Sequence, residues 1–142
     1  MAQVLVAVVL VIAAVAVAAV LRRRRRPEPP TQAGWTTPTQ LDRSDFERPE
    51  APWLIAVFSS GTCNACAEVV AKARVMEAND VAVQEVEYAS ALELHRRYRI
   101  DAVPLVLLAD DRGVVRASFI GPVTATDLWA AFAEARGAET QS

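Results

Sequence analysis

Apolar residues fall along this chain in two different patterns. From Val4 to Leu21 every position is Val, Leu, Ile or Ala, and no charge precedes Arg22. At about 1.5 Å of rise per residue, a helix of that length covers the roughly 30 Å hydrocarbon core of a bilayer. The pattern predicts a transmembrane helix over residues 1–21. Beyond residue 52 the apolar runs are short and broken by turn chemistry. Trp53 to Ser59 is nearly all apolar, as in a central strand covered on both faces. Val69, Val70, Ala73 and Met76 recur at helical spacing and predict a helix over 63–78, ended by Asn79-Asp80. Residues 81–88 alternate as a strand does. A short helix is expected over 91–98, with Leu92 and Leu94 inward. Leu105 to Ala109 and Val114 to Ile120 are strands joined by Asp110-Asp111-Arg112-Gly113, which has hairpin chemistry. After Gly121-Pro122, Thr124 caps a last helix whose apolar face is Leu128, Trp129, Phe132 and Ala135. Leu41 to Phe46 fits a helical turn or an edge segment.

The order is β-α-β-α-β-β-α. A β-α-β unit crosses over right-handed to a parallel strand, and the hairpin adds antiparallel strands. The expectation is an α/β fold with a mixed sheet covered by helices on both faces. The domain division is 1–21 as the transmembrane helix, 22–36 as a basic flank and proline-rich linker, and 37–142 as the folded domain. Pro27 to Gly34 is extended and stiff by composition.

Charge refines this picture. The five arginines Arg22–Arg26 lie on the C-terminal side of the apolar run. A cleaved signal peptide carries its basic residues before the apolar core instead. Positive residues stay on the cytoplasmic side, so the expected topology is a single-pass anchor through residues 4–21, N-terminus outside and domain in the cytoplasm. Without those five arginines, ten basic residues face seventeen acidic ones, a formal charge of −7. Such a domain is repelled by nucleic acid and by anionic lipid. Protein or small-molecule partners are expected, and no nucleic acid.

The candidate chemistry is Cys63-Asn64-Ala65-Cys66, which holds both cysteines of the chain. The turn-prone Ser59-Ser60-Gly61-Thr62 precedes it and the predicted helix follows. A thiol at a helix N-terminus feels the positive end of the backbone dipole and the unpaired N–H groups. Both favour the thiolate, the form that attacks disulfides. Spacing of i, i+3 brings the second sulfur near enough to close a small disulfide ring. Two other readings stay open here. The cysteines fit a metal half-site, although two cysteines and the single His95, read as a surface residue on a polar helix end, fall short of the four ligands zinc takes. They also fit idle thiols on a binding module.

The element order, Cys63-x-x-Cys66 at the first helix, Tyr98-x-Ile100-x-x-Val103-Pro104 ahead of an apolar strand, and Gly121 after the hairpin together resemble the thioredoxin family. The resemblance covers about residues 52–137. It implies a thioredoxin-like fold and thiol–disulfide exchange, with Cys63 as nucleophile and Cys66 as resolving thiol. It implies that Pro104 is a cis-proline beside the disulfide and that the Val103 backbone pairs with an extended substrate segment. Disulfide partners and an upstream thiol reductant are implied, with no cofactor and no metal. The chain departs from the family pattern in four places. Thr62 stands where Trp is common, and Asn64-Ala65 where Gly-Pro is common. The buried Asp beneath the active site maps onto Val57, and its lysine onto Glu85. The usual proton relay is therefore missing, and a specialised or slow oxidoreductase is expected. The alternative is a non-catalytic thioredoxin-fold adaptor or a thiolate metal-binding module at the membrane.

Overall fold

The computed structural model describes Met1 and residues 35–139, and all of these but Met1 belong to one compact unit, Gln32–Ser142. The expected transmembrane helix and arginine run lie outside the described residues. Among the described residues no helix is long and apolar enough to cross a membrane.

Seven elements follow one another as β1 (Trp53–Ser59), α1 (Cys66–Arg74), β2 (Val81–Glu87), α2 (Leu92–Arg97), β3 (Leu105–Ala109), β4 (Val115–Ile120) and α3 (Ala125–Glu139). A 3-10 helix, Arg43–Asp45, precedes them. The sheet order is β2-β1-β3-β4. β1 runs parallel to β2 and antiparallel to β3, and β3 pairs antiparallel with β4. This is the mixed sheet that the sequence pattern predicts.

Alternation along β1 divides the core. Trp53, Ile55 and Val57 face one cluster with Val69, Ala73 and Met76 from α1 and its end, and Leu128, Phe132 and Ala135 from α3. Leu54, Ala56 and Phe58 face the other, with Leu41, Phe46 and Ala51, and with Leu94 and Tyr98 of the α2 region packed against it. Every residue of β1 and of β3 is buried, which explains why their sequences are apolar at successive positions rather than alternating.

Three details differ from the sequence pattern. α1 begins at Cys66 and ends at Arg74, three residues inside the expected start, so Cys63 sits in the turn before it. Trp129 is half exposed at 47% and meets Phe132 edge-on at 6.4 Å rather than entering the core. The third is His95, which is 3% exposed rather than on the surface. It lies between Phe58 and Tyr88, each ring centroid 5.1 Å away and nearly perpendicular.

The segment before β1 is tied down by polar contacts. Asp42 caps the 3-10 helix by accepting from Ser44 N at 3.0 Å and Ser44 Oγ at 2.6 Å. Those bonds hold its carboxyl below the usual range. The Tyr98 hydroxyl donates to Asp45 and accepts from Asp42 N at 3.0 Å. Burial first, and then the bond to Asp45, push the Tyr98 phenol up to about 12. The buried Arg43 guanidinium donates to the Asp110 and Arg48 carbonyls at 2.9 and 3.3 Å. Asp110 is itself fully buried, and its carboxylate accepts from Arg112 N, Val114 N and both Nε and Nη2 of Arg116. A buried carboxylate is tolerable only when satisfied in this way, and here it fixes the β3–β4 hairpin. Gly113 then adopts φ +78°, and its carbonyl accepts from Leu41 N at 2.8 Å.

A Cβ at Gly113 would lie 2.0 Å from the Leu41 carbonyl oxygen, and positive φ is costly for any other residue. Gly113→Ala should therefore lose about 2 kcal/mol or more of stability, read as a lower urea midpoint. An unchanged midpoint would show that the N-terminal segment is not held against the hairpin.

Candidate functional site

Strand pairing gathers the site. Ser59 at the end of β1 lies opposite Glu87 at the end of β2. Phe58 lies opposite Leu105 at the start of β3. The loop leaving β1, the loop leaving β2 and the loop entering β3 therefore meet at one end of the sheet. Those loops carry Cys63, with Cys66 as the first residue of α1 just beyond it, Tyr88, and Val103-Pro104 respectively.

The β1–α1 loop is held at several points. Ser59 O accepts from Tyr88 N at 2.9 Å, and Ser60 O accepts from Cys63 N at 3.0 Å. Glu87 Oε1 accepts from Gly61 N at 3.2 Å, while its Oε2 accepts from Ser90 N at 3.0 Å. One carboxylate thus bridges the loop of the cysteines to the loop before α2. Backbone N–H bonds from Ala89 and Ser90 hold the Glu87 carboxyl below the usual glutamate range. The sequence signal for this role is slight: an acidic residue at a strand end, next to small residues whose N–H groups are free for capping.

Cys63 and Cys66 form a disulfide, with an S–S distance of 2.12 Å and a Cα–Cα distance of 5.4 Å. Cys66 is buried at 3%, whereas Cys63 is half-buried. The sulfur that a partner can reach is therefore that of Cys63. Although Cys63 precedes α1, its sulfur is bonded to that of the first helical residue and so sits at the helix N-terminus. The N-cap residue there is Ala65, with no side-chain cap. Serine or aspartate at that position would occupy the first-turn N–H groups; alanine leaves their positive potential directed at the sulfurs.

The Val103–Pro104 peptide bond is cis. Pro104 O accepts from Gly121 N at 2.8 Å, which fixes the loop to β4. Val103 is half-buried, and neither its N–H nor its C=O has a hydrogen-bond partner among the described residues. Unpaired backbone groups of this kind are what an added extended segment pairs with.

Below the site, Val57 is 1% exposed and surrounded by apolar side chains. Glu85, opposite Val57, is exposed and accepts a hydrogen bond from Ser59 Oγ at 2.6 Å. No carboxylate is thus buried at the Val57 position. Among the described residues no cluster of three or more His, Cys, Asp or Glu could hold a metal ion.

His95 is the feature that sequence reading missed. Its Nε2 lies 2.8 Å from the Val86 carbonyl oxygen, so Nε2 carries the proton and donates. α2 ends with Arg99 at φ 52°, Arg99 N bonded to Arg96 O at 3.1 Å and Ile100 N bonded to His95 O at 2.9 Å. That is a Schellman ending, and it turns the chain from His95 towards Val103. The spacing Ala91, Leu94, His95, Tyr98 follows one helix face, and that was the available signal.

No protein-family model and no curated protein matches the sequence. Solved structures do match. Thioredoxin 1 of the thermophilic eubacterium Thermosipho africanus is similar at a TM-score of 0.55 and 14% identity, over 61% of this chain and 98% of its own. The structure of a malarial protein is similar at a TM-score of 0.53 and 16% identity, over 58% of this chain and 96% of its own. At these identities the likeness is one of fold, and the described domain has a thioredoxin-like fold carrying a cysteine pair.

The depressed Glu87 carboxyl has a consequence for stability. A carboxyl with a lowered folded pKa contributes stability above its unfolded pKa, and that contribution is lost as pH falls through the lower folded value. Glu87→Gln should flatten this acid-side decline, and it should speed hydrogen exchange at Gly61 and Ser90 at neutral pH. Unchanged exchange at both amides would mean that the carboxylate does not hold the loop.

Proposed function

We propose that this protein is a membrane-anchored thiol–disulfide oxidoreductase. The observation that carries the reading is the Cys63–Cys66 disulfide, with one reachable and one buried sulfur, at an uncapped helix N-terminus. In the reduced protein the Cys63 thiolate attacks one sulfur of a partner disulfide. A mixed disulfide forms and the other partner sulfur leaves as a thiolate. Cys66 gives up its proton and attacks the Cys63 sulfur, which releases the second partner thiol and closes the Cys63–Cys66 disulfide. Two electrons pass to the partner, and an upstream thiol or dithiol returns them. Val103 offers its free N–H and C=O to the partner segment, and Pro104 shapes that loop.

With Val57 in place of an acid, Cys66 loses its proton to water or to the leaving partner thiolate. Resolution of the mixed disulfide is then the slow step. The reading includes a single-pass anchor through residues 4–21 with the domain facing the cytoplasm. Its support is the uncharged apolar run and the arginines that follow it. In that compartment the thiol pool is reducing, and the protein acts as a reductase.

Full-length protein supplied with a dithiol should reduce a protein disulfide. Cys63→Ser should cut the rate by at least about 100-fold, the scale of losing a nucleophile. Cys66→Ser should accumulate a mixed disulfide that a small thiol releases. Undiminished reduction in both variants would sink the mechanism. If it is the binding of a partner that survives the loss of both thiols, with no exchange in the native protein, the adaptor reading replaces it.

For topology, a membrane-impermeant maleimide should label the reduced Cys63 only after cells are permeabilised. Labelling in intact cells would place the domain outside.

A further inference from the structure

A cavity of about 240 Å³ opens between the disulfide loop and the cis-proline loop, lined by Ser60, Tyr88, His95, Ile100, Asp101 and Val103. Ser60 binds the Cys63 amide through its carbonyl, and Val103 directly precedes Pro104. The cavity therefore adjoins both the loop that carries Cys63 and the loop that carries Pro104. The volume is below the roughly 300–1,000 Å³ typical of pockets for whole small-molecule ligands. It suits one long side chain of a bound polypeptide.

The lining has a definite polarity. In the tautomer that donates Nε2–H to Val86 O, Nδ1 is an acceptor, and it has no hydrogen-bond partner among the described residues. His95 as a whole is 3% exposed, and it lines the cavity. Asp101 is exposed and makes no ion pair among the described residues. Tyr88 offers a ring that is 50% exposed. Ile100 and Val103 supply apolar wall. Carboxylate, imidazole lone pair and aromatic face all favour a cation with a hydrocarbon stem, and no positive side chain lines the cavity. A carboxylate-bearing side chain would meet Asp101 with the same sign and find no donor at Nδ1.

We propose that this cavity selects partner disulfides flanked by lysine or arginine, the basic side chain lying along Ile100 and Tyr88 with its head between Asp101 and His95 Nδ1. The inference rests on the oxidoreductase reading and names the substrate class of that site. The excess of acidic residues beyond Arg26 adds long-range attraction for such partners.

The test uses full-length Cys66→Ser protein, reduced beforehand. It reacts with peptides whose single cysteine is held as a mixed disulfide with thionitrobenzoate. The peptides carry Lys, norleucine or Glu on each side of that cysteine. Attack by Cys63 forms the Cys63–peptide disulfide and releases coloured thionitrobenzoate. Each rate is divided by that of glutathione with the same peptide, which removes intrinsic reactivity. The Lys peptide should react roughly fivefold faster than the norleucine peptide, the scale of one cation–π contact plus one exposed ion pair, and the Glu peptide slowest. Asp101→Asn, an exposed change with little risk to folding, should bring the Lys preference below about twofold, and His95→Ala should do the same. Asp111→Asn, in the β3–β4 hairpin, should leave the preference intact, which separates local contact from net charge. Equal rates for Lys and norleucine, or a preference that survives Asp101→Asn, would overturn the cavity assignment and leave the oxidoreductase reading standing. Failure to release thionitrobenzoate from any peptide would overturn that reading and the assignment together.

Discussion

β1 is paired on one side in parallel, on the other antiparallel, and covered on both faces. Shifting it by one residue would send Trp53, Ile55 and Val57 to the face of Leu54, Ala56 and Phe58 and unmake both clusters at once. Its register is therefore fixed by the whole core, and its last residue, Ser59, has one possible place. The parallel partner brings Glu87 and Tyr88 to that place. The antiparallel partner brings Val103 and Pro104 there from the opposite direction. The cysteines lie four and seven residues beyond Ser59, and Glu87 pins the loop between. The loop that carries the cysteine pair is thus positioned by packing that itself has no chemistry.

Electrostatics at the site are sparse. The helix N-terminus is uncapped by a side chain, and the position beneath the cysteines is Val57. Stabilisation of a Cys63 thiolate by the helix end costs no buried charge. Cys66 is buried, and burial in apolar surroundings disfavours a thiolate. The polar groups that the site does hold, Glu87, Ser60, Asp101 and His95, lie on the α2 side, where they shape the loops and the adjoining cavity.

The described end of the N-terminal segment has a similar economy. Its 3-10 turn, Arg43 and Tyr98 bind it to the α2 region and to the β3–β4 hairpin through Asp42, Asp45 and Asp110. That segment closes the Phe58 face of the sheet with Leu41, Phe46 and Ala51. It shares that cover with Leu94 and Tyr98 of the α2 region.

The order of elements, the strands, the hairpin turn and the capped last helix were legible in the sequence, because each depends on local periodicity and on residues such as Thr124 and Gly113 whose preferences act over a few positions. The cysteine pair and the proline before β3 were legible too, since their spacing along the chain carries their meaning. What the sequence left open depends on contacts between residues far apart. His95, flanked by Leu94, Arg96 and Arg97, looks exposed one residue at a time. Only the meeting of α2 with Phe58, Tyr88 and the Val86 carbonyl buries it. The start of α1 at Cys66, the burial of one cysteine and not the other, and the role of Glu87 likewise follow from how β1 and β2 end side by side. Helical and strand periods are set by backbone geometry within a segment, whereas which side chain reaches water or a neighbouring loop is decided by strand register and layer packing.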